Sequence, residues 1–201
     1  MTKVIAITGP SGSGKTTIAS KLLEQISQQQ SAVLLSEDNY YKDQSHLTFD
    51  QRLETNYDLP QAYEHTLLSQ QLKDLKAGKR VEAPKYCFKQ HTREQETITL
   101  QSPDVIIVEG LMLLTNHELA EEFDVSTYID TPIDICLLRR INRDIKERGR
   151  SVECITDQYL QAVRPSLKGF IEPSAAKAQL KLSDFESDKT LIAHLISLVS
   201  L

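Results

Sequence analysis

The sequence predicts an α/β fold in which a mostly parallel sheet lies between two layers of helices. Short β-branched runs alternate with longer amphipathic stretches along the chain, which is typical of βαβ units. The run at 104–108 is almost continuously apolar, as expected for a central parallel strand that is buried on both faces. A glycine-rich turn separates the first apolar run from the first helical pattern.

The size and composition of the chain fit one domain. The chain has 201 residues, which suffice for one α/β core and are too few for two. No repeat, low-complexity tract or linker interrupts the sequence, so we interpret residues 1–201 as a single domain. The net charge of -5 argues against nucleic acid or an anionic membrane as a partner, because both bind clustered positive charge.

The cysteines and the apolar runs indicate a cytoplasmic protein. Cys87, Cys136 and Cys154 are far apart, odd in number and not in C-x-x-C spacing, which favours reduced thiols. The apolar run near the N-terminus is too short for a signal peptide. No stretch approaches the roughly 18 to 20 apolar residues that a membrane span requires.

Periodicity and helix signals assign the first elements. Apolar runs predict strands at 4–7 and 32–35, with a helix between them at about 15–29. Pro60 is expected to open the next helix at its first turn. Tyr63 is interpreted as a core residue of that helix.

The second half of the chain begins with a different pattern. The alternation near the end of 81–100 predicts a β-ribbon inserted between core elements, and further strands are predicted at 104–108 and 125–129. Thr131 is expected to cap the following helix and Pro132 to start it. The buried stripe of that helix is predicted to consist of Ile133, Leu137, Ile141 and Ile145.

A complete G-x-x-x-x-G-K-[ST] motif lies in the glycine-rich turn. Its glycines let the backbone N–H groups point at a polyphosphate, and the next helix adds its positive N-terminal end. Lys15 is expected to reach the terminal phosphates and the Thr16 hydroxyl to ligate Mg²⁺. A strand before the motif and a helix after it disfavour a coincidental turn, so a P-loop NTPase fold is predicted. The candidate ATP-binding residues are Gly9, Ser11, Gly12, Ser13, Gly14, Lys15, Thr16 and Thr17.

Two acidic residues follow predicted strands, where open α/β sheets place ligand groups. Asp38 follows the strand at 32–35, and Glu109 follows the strand at 104–108 as a Walker-B acid does. Glu109 is a candidate Mg²⁺ ligand beside Thr16. The alternative for both acids is a structural carboxylate at the end of a strand. A guanine-specific N-K-x-D stretch is absent from the sequence, which disfavours a GTPase.

Further segments resemble the uridine kinase (uridine–cytidine kinase) family, within the wider group of phosphoribulokinase and bacterial pantothenate kinase. The resemblance covers about residues 3–174, in the family's order and spacing. The matching segments are Leu35-Ser36-Glu37-Asp38-Asn39-Tyr40-Tyr41, Asn56-Tyr57-Asp58-Leu59-Pro60-Gln61-Ala62-Tyr63, Pro84-Lys85-Tyr86-Cys87-Phe88 with His91 and Arg93, Val108-Glu109-Gly110, the stretch from Arg139 to Arg150, Gln158-Tyr159, Arg164-Pro165 and Phe170-Ile171-Glu172-Pro173.

The resemblance implies an enzyme that transfers phosphate from ATP, with Mg²⁺, to the 5′-hydroxyl of uridine or cytidine in pyrimidine salvage. It implies that Asp38 is the general base, and Asp38 joins Thr16 and Glu109 as a candidate metal residue. It also implies a homo-oligomer, often a tetramer. The nucleoside pocket that it implies consists of Asp58, Tyr86 and His91, with Tyr41 and Phe88 as possible walls.

The arginine-rich run at 139–150 is a candidate lid, extending to about residue 170. A charge run alone is most often a solvated helix face. Here the helix is expected to end at Gly149, which leaves Arg148 and Arg150 beside that end as candidate catalytic residues. The resemblance implies that Arg140 and Arg150 approach the acceptor or the transferred phosphoryl, with Gln158 nearby.

The chain departs from the family's pattern in three segments. After Pro173, Lys177 and Gln179 replace the usual tyrosine and aspartate of a segment that lies near the adenine, and the next strand survives only as a weak alternation through Leu180 and Leu182. Ser-Glu-Asp-Asn-Tyr-Tyr stands where Gln-Asp-Ser-Phe-Tyr is more frequent. Cys87 occupies a position where aspartate is usual.

Three functions are compatible with these motifs. The first is a uridine or cytidine kinase, and the second is a kinase for another small acceptor such as ribulose 5-phosphate or pantothenate. A sugar phosphate requires extra basic residues near Asp58 and Arg93, whereas the rings of Tyr86 and His91 favour a base. The third is an ATP-binding module without turnover. The intact set that argues against the third consists of Lys15, Thr16, Asp38 and Glu109.

Overall fold

A computed structural model describes residues 2–183 and 188–199 of the chain. Its central sheet has five parallel strands in the order β2-β5-β1-β6-β7, and β3 and β4 form a separate antiparallel ribbon. The predicted parallel sheet and the predicted ribbon are therefore both present. The strands are β1 Lys3–Thr8, β2 Ala32–Ser36, β3 Val81–Cys87, β4 Thr92–Leu100, β5 Val105–Gly110, β6 Val125–Asp130 and β7 Leu180–Ser183.

Helices cover both faces of the sheet, as the three-layer prediction requires. Successive residues of β1 alternate between the two faces. Ile5 and Ile7 pack with one helical layer, whereas Val4 and Ala6 pack with the other. The α-helices are α1 Lys15–Ile26, α2 Phe49–Leu53, α3 His65–Lys76, α4 His117–Ala120, α5 Ile133–Arg148, α6 Val152–Gln158, α7 Arg164–Ser166, α8 Glu172–Ser174 and α9 Asp188–Val199.

The segment after α5 is a continuous helical run in which α-helical and π-helical turns alternate. The π-helical turns are Tyr159–Val163 and Leu167–Ile171, and they flank α7. Pro165 and Pro173 lie inside this run. Proline lacks an N–H group and clashes with the preceding turn, so a wider turn beside it lets the helix continue. The run ends in a 3₁₀ turn at Ala175–Lys177 before β7.

The predictions for the segments around Pro60 and Thr131 were wrong. Pro60 opens a short 3₁₀ turn, Pro60–Ala62, and the helix proper begins only at His65, which leaves Tyr63 outside the helix although it is buried. Thr131 does not cap α5. The Thr131 hydroxyl instead donates to the carbonyl of Ser13 at 2.9 Å, and Pro132 occupies the N-cap position.

The predicted apolar stripe of α5 was also wrong. Cys136, Arg140 and Asp144 are buried, whereas Ile145 is exposed and the other predicted members are only half-buried. The helix turns its polar residues inward because its inner face borders the P-loop turn and an ion-pair cluster, and only its first turns meet the core. Within the described residues, no helix combines the length and the apolar character that crossing a membrane requires.

Candidate active site

The turn between β1 and α1 depends on its glycines. Gly9, Gly12 and Gly14 have φ values of 146°, 85° and 97°, which side chains of L-residues rarely adopt. A Cβ atom on Gly12 would collide with the backbone carbonyl of Cys136 on α5. Ser11 lies within this turn and the exposed Thr17 lies in the first turn of α1, and the Ser13 N–H closes the turn on the Pro10 carbonyl at 3.0 Å. The geometry is that of an anion-binding loop at the start of α1.

Lys15 points into this turn. It is 7% exposed, and its Nζ donates to the carbonyl of Pro10 at 3.0 Å. Burial lowers the pKa of Lys15, and the nearby carboxylates of Glu109 and Asp38 oppose that shift. A buried ammonium beside two carboxylates is well placed to neutralise a polyphosphate.

Glu109 lies beside the start of α1. Its Oε2 accepts a hydrogen bond from the Thr16 hydroxyl at 3.0 Å, and its Oε1 accepts one from the Ser36 hydroxyl at 2.6 Å. Both contacts follow from the parallel sheet, which places the ends of β1, β2 and β5 side by side. Sequence reasoning paired Glu109 with Thr16 but missed Ser36.

Asp38 is the most perturbed carboxyl group in this region. It lies in a 3₁₀ turn, Glu37–Tyr40, directly after β2. Burial raises its pKa to about 7, and the carboxylates of Glu109 and Glu37 add to this effect, whereas Lys15 and Arg148 act against it. Among the residues that the structure describes, the buried Oδ1 of Asp38 has no hydrogen-bond partner. A carboxylate of this kind is available to accept a proton near neutral pH.

Sequence reasoning missed the side chain that holds this turn in place. Glu37 is fully buried, and its carboxylate accepts from the Met112 N–H at 2.9 Å and contacts His65 Nε2 at 2.8 Å. A side chain on Gly110 would collide with the Glu37 carboxyl. Glu37 therefore ties the end of β2 to the loop after β5 and to the start of α3, which positions Asp38 beside Glu109.

An aromatic cluster lies next to Asp38, between the ribbon and the loop after β2. The Tyr41 ring stacks on Tyr63 with centroids 4.4 Å apart, and it approaches Tyr86 at 5.1 Å. Tyr57 bridges the rings of Tyr41 and His91, with centroid distances of 5.2 and 5.4 Å. Of the predicted pocket residues, Tyr41, Tyr86 and His91 thus lie together, and Phe88 approaches Tyr86 with centroids 5.3 Å apart. Tyr57 also belongs to this cluster and was not predicted.

The arginines at the end of α5 lie near Asp58 and His91. Burial raises the pKa of Asp58, and the positive charges of Arg140, Arg148 and Arg150 oppose that shift. Burial lowers the pKa of His91, and Arg150 and Arg148 lower it further. The end of α5, the ribbon turn and the loop that carries Asp58 therefore lie near one another.

Arg140 connects the lid helix to the phosphate-binding turn. It is 5% exposed, and it donates to the Ser11 hydroxyl at 3.2 Å and to Gln158 Oε1 at 3.0 Å. Arg150 donates to the same Gln158 oxygen at 2.7 Å. Gln158 therefore holds two arginines together here, in addition to any role towards a substrate.

The residues at this edge fit a hydrated divalent cation that is shared with a phosphate. In the described part of the chain, no group of three or more His, Cys, Asp or Glu side chains is placed to hold a metal by itself. Mg²⁺ in phosphoryl-transfer sites usually has one or two protein ligands and takes the rest from water and phosphate. Thr16 and Glu109 meet that requirement, with Asp38 nearby.

Replacing Glu109 by glutamine tests this assignment. We expect Glu109→Gln to raise the Mg²⁺ concentration needed for half-maximal activity about tenfold or more, because the variant keeps the side-chain size and loses the charge. Titration of Mg²⁺ at saturating substrate measures the effect. Glu118→Gln, on the exposed side of α4, is the matched control. An unchanged Mg²⁺ requirement in Glu109→Gln would remove this residue from the metal site.

The segment that departs from the family pattern packs against the sheet. Gln179 Oε1 accepts from the backbone N–H of Ser126 at 2.8 Å, and the Gln179 N–H donates to the Ser126 hydroxyl at 3.1 Å. These bonds fix β7 beside β6. Gln179 therefore has a structural role at the edge of the sheet.

The sequence of the chain matches known proteins along almost its whole length. It is 49% identical to a uridine kinase of Staphylococcus epidermidis over 191 residues, which cover 95% of this chain and 92% of that protein. A uridine kinase of Macrococcus caseolyticus matches with the same identity and coverage.

Solved structures share the fold at lower sequence identity. A putative fructose transport system kinase from Silicibacter sp. TM1040 superimposes with a TM-score of 0.77 at 21% identity, covering 90% of this chain and 89% of that one. Phosphoribulokinase from Rhodobacter spheroides gives a TM-score of 0.69 at 17% identity, covering 90% and 70%. The family model described as phosphoribulokinase / uridine kinase matches residues 4–190. Because that match spans the phosphate-binding turn, the acidic strand ends, the ribbon and the arginine-rich helix, the chain belongs to the phosphoribulokinase / uridine kinase family.

Proposed function

We propose that the protein transfers the γ-phosphoryl group of ATP to the 5′-hydroxyl of uridine or cytidine. The products are ADP and UMP or CMP, as in pyrimidine salvage. The observation that carries this proposal is the position of Asp38. The Oδ1 of Asp38 is buried, and its carboxyl interacts electrostatically with Lys15 on the phosphate side and with Tyr41 of the aromatic cluster. The 49% identity to uridine kinases supports the choice of acceptor.

On the phosphate side, the residues bind and neutralise charge. The N–H groups of the glycine-rich turn and Lys15 hold the β- and γ-phosphates. Thr16 and Glu109 hold Mg²⁺, which neutralises charge on the phosphate oxygens when bound. Arg148 and Arg150 donate to the transferred phosphoryl group, whose equatorial oxygens carry the charge of the transition state.

On the acceptor side, Asp38 accepts the proton of the 5′-hydroxyl. As that proton leaves, the hydroxyl oxygen forms its bond to the γ-phosphorus and the bond from the γ-phosphorus to the ADP oxygen breaks. Asp58 accepts hydrogen bonds from the ribose hydroxyls. Tyr86 and His91 lie against the pyrimidine, because a flat ring packs well on aromatic faces.

The arginines near this pocket favour a neutral acceptor over a sugar phosphate. Arg93 donates to the carbonyls of Tyr41 and Tyr40 and pairs with Glu64 at 2.7 Å. Arg52 donates to four backbone carbonyls of the surrounding loops and the ribbon turn. Both guanidinium groups are thus occupied in holding the pocket together, so neither is free to clamp the phosphate of a sugar-phosphate acceptor.

A panel of acceptors tests the proposed function. ADP release with MgATP would be measured against uridine, cytidine, adenosine, ribulose 5-phosphate and pantothenate, and against GTP in place of ATP. We expect turnover with uridine or cytidine. Turnover only with another acceptor would support a kinase activity but would contradict the proposed pyrimidine pocket. Tight binding of ATP without turnover on any acceptor would favour the non-catalytic module.

His91→Ala tests the pyrimidine pocket directly. We expect a rise of about tenfold or more in the KM for uridine and little change in the KM for ATP, because His91 contacts Tyr57 and Phe49 of the acceptor side. Initial rates over a grid of both substrates separate the two constants. His117→Ala, an exposed histidine on α4, is the control. Equal changes in both KM values would contradict the assignment.

We also propose a single domain, in which the ribbon β3–β4 and the lid at about 139–170 are parts of the kinase core. The resemblance supports a cytoplasmic homo-oligomer, and sedimentation of the purified chain measures its size.

A further inference from the structure

Four arginines surround one buried carboxylate at the end of α5. Asp144 is fully buried. Its Oδ1 accepts from Arg143 Nε at 2.9 Å and lies 3.4 Å from Arg148 Nη1. Its Oδ2 lies 3.6 Å from Arg150 Nη1 and 3.7 Å from Arg140 Nε. We call these five residues the Asp144 cluster.

The backbone as well as the side chains builds this cluster. Arg140 and Arg148 lie one helical turn before and after Asp144, so all three side chains share one face of α5. Gly149 ends the helix in the left-handed conformation with φ of 64°. This turn brings the chain back, and the N–H of Arg150 donates to the Asp144 carbonyl at 3.1 Å. Both the backbone and the carboxylate of Asp144 therefore determine where Arg150 lies.

The balance of charge in the cluster indicates a purpose other than stability. Four guanidinium groups close together repel one another, and one carboxylate offsets only part of that repulsion. Buried ion pairs contribute little to stability on balance, because desolvation offsets most of the attraction. Of the four arginines, Arg140 also contacts the phosphate-binding turn, through the Ser11 hydroxyl.

Only one of the four arginines forms short hydrogen bonds with the Asp144 carboxylate. Arg143 supplies the short hydrogen bonds, and it was not a predicted site residue. Arg148, Arg150 and Arg140 lie at ion-pair distances of 3.4 to 3.7 Å, longer than good hydrogen bonds. In the described chain, the buried Asp144 Oδ2 and Arg140 Nε have no hydrogen-bond partner. Asp144 thus holds these three guanidinium groups close to one carboxylate without saturating their hydrogen-bond donors.

We propose that Asp144 is a positioning residue, which orients Arg140, Arg148 and Arg150 toward the phosphoryl group that is transferred. This inference rests on the proposed kinase function and deepens it, because Asp144 acts through the arginines and does not touch the substrate. The i, i+4 spacing of Arg140, Asp144 and Arg148 carries the signal in the sequence. This spacing was missed because a run of charged residues is usually a solvated helix face.

Asp144→Asn is the variant that tests the proposal. We expect kcat to fall about 10²-fold, the size of loss that misplacing catalytic groups by about 1 Å produces. The affinity for MgADP, measured by calorimetry, should change less than threefold, because the turn and Lys15 are intact. Asp134→Asn, on the exposed part of the same helix, is the matched control and should keep wild-type kcat. A kcat within threefold of wild type in Asp144→Asn would overturn the proposal.

A double-mutant cycle separates positioning from general damage. If Asp144 acts through Arg148, Asp144→Asn should lower kcat by less than about tenfold when Arg148 is already alanine. A double variant whose loss in kcat equals the product of the two single losses would contradict the proposal. Asp144→Glu keeps the charge and moves it by one methylene group. It should still fold, because the charge that pairs with the arginines is kept, and still lose kcat, so the test survives if the asparagine variant does not fold. Wild-type kcat in Asp144→Glu would count against the proposal.

The side-chain Nε–H resonances of Arg140, Arg148 and Arg150 give a readout that needs no acceptor. Their chemical shifts should be the same in the wild type and in Asp134→Asn and should move in Asp144→Asn. If the wild-type protein transfers no phosphate to uridine or cytidine, the proposed function fails. Unchanged resonances of these three arginines in a folded Asp144→Asn variant would instead show that Asp144 does not organise them.

Discussion

Asp38→Asn is expected to lower kcat for uridine by about 10³-fold, within the range of 10² to 10⁴ that general bases contribute. Asparagine has the same size as aspartate but cannot take the proton of the 5′-hydroxyl. The affinity for MgATP should stay within a few fold of wild type, because Lys15 and the glycine-rich turn still hold the phosphates. Steady-state kinetics with uridine and calorimetry with MgATP separate the two effects.

The pH dependence gives a second test of the same residue. Asp38 acts only when it is ionised, and burial raises its pKa to about 7. Activity of the wild type should therefore rise as pH increases through about 7 and should fall about tenfold for each unit below it. This acid limb should be absent from the residual activity of Asp38→Asn.

Asp50→Asn serves as the control, because Asp50 is exposed in the first turn of α2. It should keep both the wild-type rate and the acid limb. The assignment of Asp38 as the base would be wrong if Asp38→Asn kept a third or more of wild-type turnover. It would also be wrong if the acid limb survived unchanged in that variant.

The sequence predicts the sheet well because its signals are local. Continuous apolar runs identify β1, β5 and β6, and the P-loop motif identifies the turn between β1 and α1. The order of the strands follows once the chain is placed in a known family. Boundaries were less accurate where two signals compete. Pro60 is compatible with the first turn of a helix, yet the chain makes only a 3₁₀ turn there, and Tyr63 joins the aromatic cluster instead.

The side chains that position the candidate site were harder to predict. Glu37 and His65 contact residues that are distant in sequence, and Asp144 lies within a run of charged residues. No local pattern therefore reveals that these three side chains are buried. Ser36 is an ordinary strand residue until the parallel pairing of β2 with β5 places it beside Glu109. These roles depend on tertiary packing, which overrides the usual preference of polar residues for solvent.

Arg148→Ala is expected to lower kcat about 10³-fold or more, which is the contribution of arginines that stabilise charge on a transferred phosphoryl group. Arg148 is the lid arginine whose charge reaches Asp38, Asp58 and His91 together. Arg148→Lys keeps a positive charge but loses the planar fork, so it should recover only part of the rate. Lys146→Ala, on the exposed face of α5, should have no effect.

The acid limb of the pH profile distinguishes catalysis from folding in this variant. Arg148 lowers the pKa of Asp38, so its removal should raise that pKa and move the limb to higher pH. Arg148→Lys should move the limb less, because the positive charge is kept. A purely structural role would reduce the melting temperature and leave the limb where it is in the wild type. A large loss of kcat together with a shift of the limb to higher pH would therefore show that Arg148 acts on Asp38 as well as on the phosphoryl group. A loss of kcat without that shift would show that Arg148 does not influence Asp38.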